Sequence, residues 1–422
     1  MSEHPAISVT EIQAEVNAWL DQHWSVDLSL TSWRETLVAG GWAAPAWPVE
    51  YYGRGYSEEQ AAAVADVFQA RGVVGVAQAG PGRLASHTIL VHGNDAQKKK
   101  YLRPILTGEH AWCQLFSEPG SGSDLAGLTT KAEKDGDRWV VNGQKVWNTS
   151  AHHADFGILV ARTNWDVPKH QGISYFLINM RQPGVEVRPL RQMNGHASFN
   201  EVFMADAQVL AEDLLGQEGE GWKIAATTLS AERQGFAGDR SGGRARQLEG
   251  PIYDEYRAEL AIALEPYTWY PQRAGRPELA LPRAISNGAI KDPVIRQELA
   301  RLVAMKEAAD LAARSAAEKR KAGNSNVIPE GSIGKLAASV IARQASHVHT
   351  LISGAQAMLK GPESELEGIV AEILLSVPAI SIAGGTDEIQ KNIIAERVLE
   401  LPKEPRFDTG PFRDVPRNLT DL

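Results

Sequence analysis

Hydrophobic periodicity changes twice along the 422 residues, and this pattern restricts the fold more than any other feature of the chain. Up to about residue 111, apolar positions recur at helical spacing. Ile12, Val16, Trp19 and Leu20 follow Ser8-x-x-Glu11, and Ser32-x-x-Glu35 and Ser57-x-x-Gln60 repeat the capping-box arrangement. A further helix is expected from Asp95 through Lys98-Lys99-Lys100. From about 112 the period shortens. Trp139–Val141, Gly157–Val160, Ser174–Ile178 and Val185–Val187 are β-rich runs, separated by turns such as Lys134-Asp-Gly-Asp137 and Gln182-Pro-Gly184. Long helical pieces return at 220–248, 293–322, 331–358 and 386–399. The order predicts an α+β chain with three domains: helical over 1–111, an antiparallel β-barrel or sandwich over 112–217, and a helical bundle over 218–402. Residues 265–292, rich in Pro, Tyr and Arg, are expected to form an inserted loop, and 403–422 an extended tail.

A net charge of −9 argues against nucleic acid as a partner, because phosphate binding needs a basic footprint. The lone Cys113 excludes an intrachain disulfide and an all-cysteine metal site, and no His/Asp/Glu spacing suggests a metal. Glu372 and Pro378 interrupt the longest apolar run, Ile369 to Gly385, so no membrane span is expected. The opening MSEHPAISV does not read as a signal peptide, and a cytoplasmic protein is expected.

The densest chemical signal opens the β region: Trp112-Cys-Gln-Leu-Phe-Ser-Glu-Pro-Gly-Ser-Gly-Ser-Asp124. Glycines allow backbone N–H groups to approach a ligand, and serines can donate to anionic or carbonyl oxygens. Alone, such a stretch reads first as a surface turn. Asn142-Gly-Gln-Lys-Val-Trp147 leads to Thr149, and residues two apart on a strand share a face. An aromatic plane beside a hydroxyl suits a flat heteroaromatic ligand, although a lone Trp here reads first as a half-buried core residue.

Together with Leu215-Gly-Gln-Glu-Gly-Glu-Gly221 and Gly384-Gly-Thr-Asp-Glu-Ile-Gln390, these stretches resemble the acyl-CoA dehydrogenase flavoproteins over about residues 30–402. The resemblance implies a helical domain, a β-barrel domain and a C-terminal four-helix bundle. It implies FAD as cofactor, its ring lined by Gln114, Phe116, Ser117, Gly122 and Ser123, with Trp147 beside it and Thr149 near N5. Thr386 and Glu388 would face the cofactor from a helix start, whose free N–H groups favour anions. Ser123, Arg233, Gly384 and Gly385 would lie near an acyl-CoA substrate. An electron-transfer flavoprotein would be the electron acceptor.

The family's reaction needs a carboxylate to remove the α-proton of the thioester while hydride leaves the β-carbon. Most members place that glutamate where this chain has Gly384. The isovaleryl-CoA and long-chain branches use the Glu of a Glu-Arg pair, which matches Glu232-Arg233. Trp222, Ala225, Leu229, Glu232 and Phe236 fall within about 80° of one another on a helix, placing Glu232 on the apolar stripe. Glu232 is therefore the expected base; a structural glutamate and the rival carboxylates Asp387 and Glu388 are the competing readings.

Two family contacts to the FAD diphosphate are missing. Tyr270-Pro-Gln-Arg-Ala-Gly-Arg276 replaces an Arg-x-Phe-Gly segment, and Leu351-Ile-Ser-Gly-Ala-Gln-Ala357 keeps one glycine of three. Either Arg273, Arg276 or Arg283 substitutes within a homo-oligomer, or a second subunit supplies the contacts. The latter arrangement resembles a heterotetrameric bacterial branch acting on steroid side chains. A non-catalytic subunit that binds acyl-CoA or stabilises its partner is the alternative function. A branched or bulky acyl group is expected.

Overall fold

The computed structural model describes residues 7–77, 80–233, 247–321, 330–361, 364–406 and 408–415. Helix α1 (Val9–His23) opens on the Ser8/Glu11 capping box. Helix α2 (Leu30–Ala39) departs from expectation: its cap is Ser29, which accepts from Ser32 N at 3.2 Å. The earlier start brings Leu30 and Trp33 onto the buried face, and Glu35 instead receives Arg103 Nη2 at 2.6 Å. Helix α3 (Glu58–Arg71) begins at the Ser57/Gln60 box, α4 spans Gly80–His92, and α5 (Asp95–Thr107) starts at an Asn94/Gln97 box.

The β region is one sheet: β1 (Trp112–Leu115), β2 (Lys131–Asp135), β3 (Arg138–Thr149), β4 (Phe156–Arg162), β5 (Ile173–Asn179), β6 (Val185–Leu190), β7 (Phe199–Leu210) and β8 (Leu214–Leu215). Strand order is β6-β7-β3-β2-β4-β5-β8, with β1 added to β4. The pairs are mostly antiparallel, but β1 runs parallel to β4, Trp112 opposite Phe156, so the sheet is mixed. The connection from β1 to β4 spans two further strands, which lets the chain return in the same sense. Helix α6 (Gly221–Arg233) packs Ile224 and Ala225 into a core with Leu84, Ala85 and Ile89 of α4 and Ile158, Val160, Ile173, Tyr175 and Leu177 of β4 and β5. The opposite face of the same strands packs Leu159, Phe176 and Ile178 against Trp139, Val141, Val202 and Met204. Double burial explains why β4 reads as an unbroken apolar run while the edge strand β6 alternates.

Helix α7 (Pro251–Leu264), which the periodicity does not include, completes the N-terminal core. Its Ile252, Tyr253, Tyr256 and Leu260 meet Ile12, Val16 and Leu20 of α1 and Trp33 of α2. Each such aliphatic side chain contributes about 1.5–3 kcal/mol on burial. The described residues of Met1–Leu190, Phe199–Pro266 and Asp408–Leu422 make up one unit, and Arg191–Ser198 with Tyr267–Phe407 a second.

The second unit corrects the expected loop at 265–292. Helices α8 (Tyr270–Arg273) and α9 (Pro277–Ser286) occupy it, followed by a 3-10 turn at Ala289–Lys291. Pro271 and Pro277 sit in the first turns, where a missing N–H costs nothing, so prolines that suggest a loop start helices instead. Ala280 and Ala284 pack on Leu299 and Leu302 of α10 (Pro293–Lys321) and on Ala345 and Val348 of α11 (Glu330–Ser353). Helices α12 (Ile369–Ser376) and α13 (Asp387–Arg397) follow. The tail is not wholly extended either. Phe412 is 1% exposed, starts a 3-10 turn, and lies 3.5 Å from the buried Arg162 guanidinium.

Candidate functional site

Within the first unit, β1 and β3 bring together most of the residues singled out from sequence. The chain leaves β1 through Phe116 and Ser117, and β3 holds both: Lys145 Nζ donates to Phe116 O at 2.9 Å and Val146 N to Ser117 O at 2.9 Å. Lys145 also donates to Glu118 Oε1 at 2.9 Å, and the Glu118 carboxylate accepts from Thr129 N, Thr129 Oγ1 and Thr130 N. Burial alone would raise the Glu118 pKa. The Lys145 ammonium and the Thr130 and Thr129 donors outweigh it and hold the carboxyl at about 2. The ion pair thus anchors the 117–124 turn, leaving Ser117 half-buried and Gly122 and Ser123 exposed.

The strand carrying Trp147 is not regular. One extra residue sits between Lys145 and Asn148 relative to β7, forming a bulge, and Trp147 adopts φ +64°. Left-handed backbone is unusual for a bulky residue and marks a constrained position. The ring is 55% exposed and meets Phe199 edge-on at 5.7 Å. Asn148 is buried between exposed Trp147 and half-buried Thr149, so those two still share the open side, after a bulge that simple alternation does not foresee.

Asn148 was not visible as a site residue from sequence. Its Nδ2 donates to Gln114 O at 2.7 Å, and Asn200 Nδ2 donates to Asn148 O at 2.9 Å. The Gln114 side chain reaches the other way: its Nε2 donates to Glu232 Oε2 at 3.4 Å. Glu232, in the last turn of α6, is half-buried and continues the line of Ile224 and Thr228. Trp222 and Leu229 are packed on the same core as expected, whereas Phe236 lies outside the described residues. Arg233 ends the helix. Gln114, Phe116, Ser117, Trp147, Thr149 and Glu232 are therefore linked through two strands and one helix of a single unit.

The late motif belongs to the second unit. Thr386 caps α13, accepting from Ile389 N at 3.2 Å, and Glu388 is exposed. Gly384 and Gly385 adopt φ +69° and +87°, and Gln390 Nε2 donates to both carbonyls at 3.0 and 3.3 Å. Asp387 is ion-paired with Lys335 and Arg343. Burial would raise its pKa, but Arg343, Ser339 and Lys335 hold it at about 2, which makes it a poor proton acceptor. Arg283 is also committed: it is buried against Glu365 at 2.7 Å and contacts His349 Nδ1 at 2.5 Å. Arg276 pairs with Glu278, and Arg273 lies over the Tyr270 ring at 4.8 Å.

Family models identify residues 6–109 as an acyl-CoA dehydrogenase N-terminal domain, 113–207 as the middle domain and 281–399 as the C-terminal domain. The acyl-CoA dehydrogenase IpdE1 of Mycobacterium tuberculosis is 32% identical over 94% of this chain and 99% of its own length. The chain belongs to the acyl-CoA dehydrogenase family. It is an oxidoreductase acting on acyl-CoA, and FAD is the cofactor of this flavoprotein family. Acyl-CoA dehydrogenase FadE34 of the same organism is 35% identical over 87% of this chain and 46% of its own length. Among solved structures, the Tcur3481-Tcur3483 steroid acyl-CoA dehydrogenase matches with a TM-score of 0.64 at 25% identity, covering 96% of this chain and 100% of that one. The ChsE4-ChsE5 complex from Mycobacterium tuberculosis matches with 0.63 at 25% identity, covering 96% and 100%. In this acyl-CoA dehydrogenase, an exposed aromatic at a strained φ beside half-buried hydroxyls fits the ring of FAD. The diphosphate half fits less well, because Arg283 is spent on Glu365 and Arg276 on Glu278, while Arg273, the third candidate, stacks on Tyr270. No helix among the described residues is long and apolar enough to cross a membrane.

Proposed function

We propose that this chain carries the flavin-ring site of an acyl-CoA dehydrogenase and that Glu232 removes the α-proton of the acyl thioester. The Gln114–Glu232 contact carries the reading, because it ties a half-buried carboxylate to the strand that leads into the expected flavin loop. Ser117 and Thr149 would hold the flavin ring by hydrogen bonds, Trp147 would pack beside it, and Ser123 would contact the acyl-CoA. When bound, FAD supplies the acceptor for the β-hydride. Glu232 takes the proton at its carboxylate, Gln114 orients that carboxylate by donating to Oε2, and packing against the α4–β5 core limits access of water to one side. Gly384 offers no competing base, and Asp387 is neutralised by two cations.

Glu232→Gln preserves the shape and the Gln114 neighbour. The expected result is normal FAD binding with no bleaching of the flavin by any of a series of acyl-CoA thioesters from butyryl-CoA upward. Bleaching at the wild-type rate removes Glu232 from the role.

A heteromer is favoured over a homo-oligomer by the pairing of Arg283 with Glu365 and of Arg276 with Glu278, and by resemblance to the two-component Tcur3481-Tcur3483 and ChsE4-ChsE5 structures. A second acyl-CoA dehydrogenase-like subunit would then supply the diphosphate contacts, with a steroid side chain or other bulky acyl group as substrate and an electron-transfer flavoprotein as acceptor. The absorption spectrum of the purified chain decides this. Weak flavin bands alone and full bands with a co-expressed partner are expected; full bands alone overturn the heteromer.

A further inference from the structure

Three hydroxyls of the first unit lie in the core and serve no role in the chemistry above. Thr88 on α4, Tyr175 on β5 and Thr228 on α6 are each 0% exposed. Thr88 Oγ1 donates to Leu84 O at 2.8 Å. Thr88 Oγ1 and Thr228 Oγ1 are 2.8 Å apart, and Tyr175 OH is 3.0 Å from Thr228 Oγ1. The helical carbonyl open to Thr228, Ile224 O, is farther off at 3.4 Å.

Each hydroxyl has one proton, and this decides the direction. The Thr88 proton is taken by Leu84 O, so Thr88 can only accept from Thr228. The Thr228 proton then lies in its shortest contact, and Thr228 accepts from Tyr175. Reversing the Thr88–Thr228 link would give up the 2.8 Å bond to Leu84 O and send the Thr228 proton to the longer 3.4 Å contact with Ile224 O, a poorer set of bonds. Burial pushes the Tyr175 phenol pKa up, which keeps it a donor.

We infer that the hydroxyls of Tyr175, Thr228 and Thr88 form a hydrogen-bond chain ending on Leu84 O that fixes the rotation of α6 and so positions Glu232 against Gln114. Its functional part rests on the reading of Glu232 as the base. Ile224 and Ala225 hold α6 by apolar contacts, which are non-directional and tolerate small rotations. Thr228 supplies a directional lock one turn before Glu232, and residues four apart lie only about 40° apart around a helix. At the other end, the Tyr175 ring meets Phe116 edge-on at 5.9 Å. One strand residue thereby registers both the helix bearing the carboxylate and the segment entering the 117–124 turn. Thr88, Tyr175 and Thr228 act as positioning residues.

The test combines Tyr175→Phe, Thr228→Val and the double variant. Tyr175→Phe removes the first donor and orphans nothing, so Tm should change little. Thr228→Val takes from the Tyr175 hydroxyl its 3.0 Å partner and from Thr88 its 2.8 Å partner and should lower Tm more, while the double variant should recover part of that loss. Additive Tm shifts overturn the chain. In the flavin-loaded protein, assayed with whichever thioester of the butyryl-CoA series bleaches wild type fastest, Thr228→Val should lower kcat severalfold at unchanged KM. Thr228→Ser should restore it. Coupled Tm shifts with unchanged kcat overturn the positioning role. An active Glu232→Gln instead overturns the base assignment, and the Tm cycle decides the chain independently of that result.

Discussion

Lys145 and Glu118 form an ion pair whose side chains are 0% and 5% exposed, and the lysine spends a second hydrogen bond on Phe116 O. A lone charge in such a place is costly, so both groups depend on each other. Lys145→Met should therefore destabilise the protein by about 3–5 kcal/mol, the usual effect of stripping one partner from a buried pair. Chemical denaturation should show it, and a loss under 1 kcal/mol contradicts the described burial.

The same pair predicts behaviour in acid. Glu118 is held at about 2 in the folded chain against an ordinary 4.5. Its stabilisation is therefore complete above about pH 4.5 and is lost as pH falls through about 2. The shift corresponds to about 3 kcal/mol. Urea midpoints of wild type should fall more steeply over that interval than those of Glu118→Gln, and parallel curves would assign the acid sensitivity elsewhere.

Trp147 separates binding from stability. Glycine relieves the φ +64° backbone at no steric cost, so Trp147→Gly should keep or raise Tm. If the ring packs against flavin, the same variant should bind FAD about tenfold more weakly, as expected for losing about 1.4 kcal/mol of aromatic contact. Titrating FAD into apoprotein and following fluorescence checks both halves.

The two glycines before α13 should respond differently to alanine. At Gly385 a Cβ would lie 2.5 Å from Gln390 Nε2 in addition to the φ of +87°, whereas at Gly384 it would meet nothing within 4 Å. Gly385→Ala should cost about 2 kcal/mol and Gly384→Ala about 1 kcal/mol. Thermal melts showing the opposite order would contradict the geometry.

Much of the fold could be read from spacing because helix caps and strand alternation are local. Ser8, Ser57 and Asp95 mark helix starts with little help from distant residues. What stayed hidden depends on partners far along the chain. Ser29 outcompetes Ser32 as a cap because Leu30 and Trp33 need burial, and Pro277 starts a helix because Ala280 and Ala284 have a surface to pack on. At the candidate site, Gln114, Trp147, Thr149 and Glu232 could be picked out as residue types. Asn148, Lys145 and Thr228 could not, since a polar residue inside a strand or helix gives no sign that it faces inward until its acceptors are folded around it.

Phe412 closes over Arg162, a residue whose guanidinium donates to the carbonyls of Ala126, Leu128 and Lys169. The Ala126 and Leu128 carbonyls belong to the segment just downstream of Ser123, so Phe412 acts as a lid screw on the turn that introduces the site. Trimming the chain before residue 408, or fusing a bulky reporter close behind Phe412, would loosen a part of the molecule nearly three hundred positions earlier.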